Sequence, residues 1–149
     1  MGLYLALLAY RMTSQETEEL ISSLRLPKLL GQTLLDTSNI KGKIRSLESP
    51  GLSPSGIYSL LDGYSAAALT ANALASDSPE VRENIHLFLN KLRYIKPALT
   101  GDDLMRMGIA AGPRIREVLS RLHEARLDGR VSNRQGEVEL VEGWLRQHT

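Results

Sequence analysis

The chain of 149 residues contains no cysteine. Disulfides, thiolate zinc sites and cysteine nucleophiles are therefore excluded, and a cysteine-free chain is compatible with the cytoplasm, the location expected here. Aromatic residues are scarce: one tryptophan (Trp144), one phenylalanine (Phe88) and five tyrosines. So few rings argue against base-stacking platforms as the main mode of binding. The formal net charge is only +1, so no global basic field exists and a nucleic-acid partner would be held by local patches. Long apolar runs are missing too. The opening stretch from Leu3 to Tyr10 is far too short to span a bilayer. It has no basic segment before it, which argues against a signal peptide, and no membrane partner is expected. Period-two alternation long enough for a sheet is absent.

What the chain does have is a glycine-punctuated stretch near its C-terminal end. Thr100 is a suitable N-cap, and Asp103 completes a capping box. Leu104 and Met107 give that short helix a buried side, and Gly108 stops it. A second helix opens at Gly112-Pro113, because the N–H that proline lacks would have been unpaired there anyway. Ile115, Val118, Leu119 and Leu122 share one of its faces, and Asp128-Gly129 closes it with a turn. Two readings stand side by side. One is a helical hairpin that packs a core. The other is a phosphate site, since a helix N-terminus presents unpaired N–H groups and a positive dipole end. Gly112 would admit a nucleic-acid backbone, with Arg114 and Arg116 supplying charge.

The stretch Lys96-Pro97-Ala98-Leu99-Thr100-Gly101-Asp102-Asp103-Leu104 continues through Met107-Gly108-Ile109-Ala110-Ala111-Gly112-Pro113 to Leu127-Asp128-Gly129-Arg130-Val131. This stretch resembles the C-terminal part of the tRNA nucleotidyltransferase / poly(A) polymerase family. The pattern there reads leucine-threonine-glycine-x-aspartate-leucine, then glycine-x-x-proline-glycine-proline, then leucine-aspartate-glycine. Ala111 stands where the first of the two prolines is usual. Upstream, Ser53-Pro54-Ser55-Gly56-Ile57-Tyr58 and the helix through Leu92 to Lys96-Pro97 also resemble that family, particularly its longer members fused to other domains. The likeness over residues 1–49 is weak. The resemblance implies a fragment, the helical body and tail of a longer protein, with the N-terminal catalytic head absent and Met1 lying inside the natural chain. It implies that the whole enzyme adds nucleotides (C and A, or A alone) to tRNA 3′ ends, using ATP or CTP and magnesium. It implies no cofactor and no catalysis for this fragment alone.

Taken in order, Gly2 to Met12 reads as a helix with Leu3, Leu7 and Tyr10 on one side. Thr13-Ser14-Gln15-Glu16 is a capping box opening a helix to about Arg25, with Leu20, Ile21 and Leu24 buried. Pro27 begins a third helix carrying Leu29, Leu30 and Leu34, which the helix-poor run Asp36-Thr37-Ser38-Asn39 is expected to interrupt or kink. Ile40, Ile44 and Leu47 resume the period. The five cations Arg25, Lys28, Lys41, Lys43 and Arg45 face one acid, Asp36; they form either a solvated face or an RNA contact. Ser53-Pro54 and Ser78-Pro79 each pair an N-cap with a first-position proline, and an alanine-rich helix from Ser65 to Ala75 lies between them. From Val81 the apolar period runs to Ile95, with Lys91, Arg93 and Lys96 at the C-terminal end, where they also suit the helix dipole. A last helix covers about Arg134 to Gln147, burying Val138, Val141 and Leu145, with Gly136 awkward in its first turn.

Catalytic chemistry is hard to find. Nucleotidyl transfer needs two carboxylates on two metal ions and a glycine-rich turn for the triphosphate. Asp102-Asp103 is the only tempting doublet. Helix neighbours point about 100° apart, so capping explains these acids better than a metal does. His86, His123 and His148 lie far apart in sequence, His123 on the expected exposed side of its helix and His148 at its frayed end. No catalytic and no metal residues are assigned.

The sequence thus predicts an all-α fold of about eight to nine short helices packed as helical hairpins, without a sheet. Residues 1–98 form a helical body region and 99–149 a C-terminal helical tail region. The expected role is a tRNA-binding portion, with Gly112, Pro113, Arg114 and Arg116 as the main backbone site. Arg130 and Arg134 are second contacts, and Lys91, Arg93 and Lys96 weaker ones. Expected partners are tRNA, the missing head and, in the dimerisation reading, a second copy. The alternatives are a structural or dimerisation scaffold and a DNA-binding helical hairpin.

Overall fold

Five helices begin where a Ser or Thr hydroxyl accepts a hydrogen bond from a backbone N–H three residues on: Thr13, Ser53, Ser65, Ser78 and Thr100. Each hydroxyl satisfies one of the N–H groups left unpaired in a first helical turn. The computed structural model describes residues 2–147. Met1, His148 and Thr149, and with them the expectations for Met1 and His148, lie outside the described residues.

Among the described residues the chain is all-α, with ten α-helices and no strand. They are α1 (Gly2–Tyr10), α2 (Ser14–Leu24), α3 (Lys28–Lys41), α4 (Ile44–Leu47), α5 (Pro54–Leu61), α6 (Ala66–Ala75), α7 (Pro79–Asn90), α8 (Gly101–Arg106), α9 (Pro113–Leu127) and α10 (Arg134–Gln147). A 3₁₀ turn covers Leu92–Tyr94. The chain divides into two compact units, Met1–Arg93 and Tyr94–Thr149.

In the first unit α1, α3 and α6 pack together, and α7 packs on α6, α5 and α4. The alanines make this possible: Ala6 and Ala9 of α1, and Ala68, Ala71 and Ala73 of α6, are buried. Small side chains let helix axes approach closely. The fully buried residues of α1 are Ala6 and Ala9; of the expected side formed by Leu3, Leu7 and Tyr10, Leu7 and Tyr10 are half-buried and Leu3 is exposed. Leu3, Tyr4 and Leu8 are exposed. Leu24 and Leu29 are exposed as well, contrary to the hydrophobic pattern, because no element of the described chain covers the outer sides of α2 and α3 there.

The polar run in α3 does not break the helix. Thr37 donates to the carbonyl of Thr33 at 2.8 Å. Asp36, buried, accepts from Gln32 Nε2 at 2.8 Å and from the backbone N–H of Ser65, the cap of α6, at 2.9 Å. Asn72 donates to the carbonyls of Thr37 and Ala68. The Asp36–Ser65 and Asn72–Thr37 bonds cross between α3 and α6 and offset the desolvation of Asp36 and of the Asn72 amide N–H, whereas Asn72 Oδ1 is buried without a partner. Two cations of the basic segment also serve the packing. Lys41 donates to the Tyr10 carbonyl at 2.6 Å, and Lys43 to that of Leu60 at 3.2 Å.

α7 stops at Asn90, earlier than its apolar period suggests. Beyond it the Ile95 carbonyl bonds Nε2 of His123 at 2.9 Å, and the backbone N–H of Ala98 bonds Glu137. These bonds draw residues 94–98 into the second unit and out of helical register. His123 is accordingly half-buried and bonded rather than on an open face. The core of the second unit is Leu99, Leu104, Ile109, Val118, Leu122 and Val141.

Candidate nucleic-acid interface

The second unit is held by a buried carboxylate. Glu137, in the first turn of α10, is fully buried. It accepts from the backbone N–H of Ala98 at 2.9 and 3.0 Å and of Leu99 at 3.2 Å, and from Arg126 Nε at 2.7 Å. Four elements of chain converge on one group: the strap before α8, the end of α9, the connector through Arg126 Nη1 to the Ser132 carbonyl, and α10 itself. Hydrogen bonds to an ionised group are the stronger kind, so this network fixes the hairpin. Sequence reasoning missed Glu137. The signal was its position four residues before Val141, on the apolar stripe of α10.

Asp103 closes the capping box and does more. It accepts from the Thr100 backbone N–H and hydroxyl, both at 2.9 Å, and pairs with Arg134 Nη2 at 3.1 Å. The Thr100 backbone bond first, then the Arg134 and Thr100 side chains, hold its carboxyl well below the usual range. Gly136 fits the first turn of α10 because the cap there comes close: Asn133 Oδ1 accepts from its N–H at 2.7 Å, and a Cβ would sit 3.3 Å from that oxygen.

Gly112 precedes α9 with φ +129° and ψ −154°, a conformation available essentially only to glycine. No side chain caps α9, and nothing lies within 4 Å of where a Gly112 Cβ would be. Pro113 brings no N–H and the Ile115 N–H bonds the Gly112 carbonyl at 3.1 Å, so the first turn of this 15-residue helix carries no side-chain cap. Pro113 occupies the first position, as expected.

The predicted site residues separate into distinct surroundings. Arg114 and Arg116 are exposed and, among the described residues, have no ion-pair or hydrogen-bond partner. They are about 200° apart around α9 and so flank it. Arg116 lines a shallow depression of about 400 Å³ with Met105, Gly112 and Pro113. Arg114 lines a groove of about 280 Å³ with Arg121 and Trp144. Arg134, still exposed, pairs with Asp103 and donates to the Ala98 carbonyl at 3.4 Å. Arg130 lies 4.0 Å from Glu124, both largely exposed. Lys91 and Arg93 belong to the first unit and Lys96 to the second; all three are exposed. Among the described residues no group of three His, Asp or Glu could hold a metal ion. No described helix is long and apolar enough to cross a membrane.

Comparison with known proteins gives two relatives. Over 87 residues, 58% of this chain, the sequence is 41% identical to a protein of Geobacter sulfurreducens named A-adding tRNA nucleotidyltransferase. Over 67 residues, 44% of the chain, it is 34% identical to a protein of the same name from Halalkalibacterium halodurans. The matched stretches are 10% and 16% of those proteins, so the chain spans a small fraction of the curated relatives it matches. No protein-family model and no solved structure matches the sequence. The chain thus resembles a region of tRNA nucleotidyltransferases.

Proposed function

We propose that this chain is the tRNA-holding helical portion of a tRNA nucleotidyltransferase of the CCA-adding and poly(A) polymerase type. The observation that carries the reading is the 41% identity over 87 residues to a protein named for acting on tRNA. The geometry at α9 supports it. An uncapped helix N-terminus attracts phosphate, and the unpaired Arg114 and Arg116 flank it. Gly112 keeps the approach free of side-chain atoms. Such a surface grips the backbone by shape and charge rather than by base sequence. Arg130 and Arg134 contribute less, since Glu124 and Asp103 balance their charge. Lys91, Arg93 and Lys96 add long-range attraction. Catalysis, with its magnesium and ATP or CTP, belongs in this proposal to an N-terminal head, and the site of action is the cytoplasm.

The test is binding of the chain to folded tRNA by fluorescence anisotropy, with duplex DNA of similar charge as competitor, at two salt concentrations. Salt-sensitive binding that prefers tRNA is the expected result. Preference for duplex DNA would turn the reading to a DNA-binding hairpin. A second reading, a scaffold that pairs two subunits, draws on the exposed Leu3, Tyr4 and Leu8 of α1. A stable dimer by mass in solution that ignores RNA would favour it.

A further inference from the structure

Apart from Arg114, the groove between α9 and α10 has no part in the backbone grip. Its floor is Ile109, Val118 and Leu145, and the Trp144 indole forms one wall. Arg114, Glu117 and Arg121 line its rim. Glu117 stands four residues before Arg121, the favourable spacing and order for a helical ion pair. That pair does not form. The Arg121 guanidinium lies instead over the Trp144 ring, 5.4 Å from its centre. Among the described residues, neither arginine and not Glu117 is in an ion pair. The groove therefore combines an apolar floor, a planar wall and two uncompensated guanidinium groups against one carboxylate. Its volume of about 280 Å³ falls just short of the roughly 300–1,000 Å³ of sites for drug-sized ligands. That leaves room for one ring system rather than a large molecule.

A ligand that suits this lining is planar, apolar on its faces and anionic at one end. We propose that the groove takes a single unpaired nucleobase of an RNA loop, stacked beside Trp144, with its phosphate on Arg114 and Arg121. Paired bases inside a duplex are covered by their neighbours, whereas splayed-out loop bases stack on aromatic rings and guanidinium planes. Glu117 is placed to accept a hydrogen bond from a base amino group. The inference rests on the tRNA reading and deepens it: besides the backbone, the chain holds one loop base. One ring suffices for one base, which is consistent with so few aromatics in the chain.

Trp144 is the sole tryptophan, so its emission reports this groove. The full chain is titrated with folded tRNA and with a blunt RNA duplex, following Trp144 emission and, in parallel, anisotropy of the labelled RNA. The expected result is that tRNA quenches Trp144 while the duplex binds without quenching. Arg121→Gln is expected to weaken tRNA binding about tenfold, and Trp144→Leu similarly by anisotropy, with helix content by circular dichroism unchanged. Binding of tRNA with Trp144 emission unchanged overturns the groove and leaves the backbone reading standing. Absence of tRNA binding overturns both. Equal quenching by the duplex overturns the unpaired base. Equal quenching by free AMP assigns the groove to a mononucleotide and overturns the loop.

Discussion

Arg126 Nε donates to Glu137 Oε2 over 2.7 Å, at a carboxylate that solvent does not reach. The arginine is itself only 20% exposed. This pair joins the end of α9 to the start of α10, and the same carboxylate anchors the backbone entering α8. Glu137→Ala is expected to destabilise the second unit by about 3–5 kcal/mol, because a buried guanidinium then has no counter-charge. Glu137→Gln keeps an acceptor and should cost less, about 1.5–3 kcal/mol. Urea unfolding followed by Trp144 emission measures both.

Acid should act on Asp103. Its carboxyl is depressed in the folded chain by the Thr100 backbone bond and by Arg134. The contribution is therefore fully present above the unfolded value of about 3.9 and is lost as pH falls below it towards the folded value. Asp103→Asn should remove that acid dependence while weakening the start of α8 at neutral pH. Carboxyl chemical shifts against pH, with unfolding at pH 7 and below pH 4, check the sign.

Gly112→Ala tests backbone strain in isolation. A Cβ there would meet nothing within 4 Å, so no clash contributes. The positive φ alone should cost about 1–3 kcal/mol. Thermal unfolding by circular dichroism measures it, and a neutral outcome would mean that this turn relaxes freely.

The double variant Arg114→Ala with Arg116→Ala should weaken tRNA binding and flatten its salt dependence. Each lost phosphate contact lowers the slope against log salt by roughly 0.7–0.9. Both side chains are exposed, so stability should stay within about 0.5 kcal/mol. Unchanged affinity in a folded double variant removes the proposed backbone site.

The caps on α2, α5, α7 and α8 were legible in the chain itself, as was the Gly112-Pro113 opening of α9. The tail motifs also pointed to the right relatives. Less legible were the surroundings of the arginines. Residue types show that Arg114, Arg116, Arg130 and Arg134 carry charge, but not that Asp103 lies within 3.1 Å of Arg134 while Arg114 stands unpaired.

What the sequence determined by itself was local: which residues cap, which stop a helix, and that the product is all-α. Those outcomes depend on groups within about four residues, where hydrogen bonds between side chain and backbone close with little loss of chain entropy. The tertiary structure alone decided which apolar residues are covered and where α7 ends. It also decided that a charged Glu137 sits inside the second unit. Burial depends on which elements lie opposite one another, and a carboxylate is tolerated inside only where Arg126, Ala98 and Leu99 bring donors from distant parts of the chain.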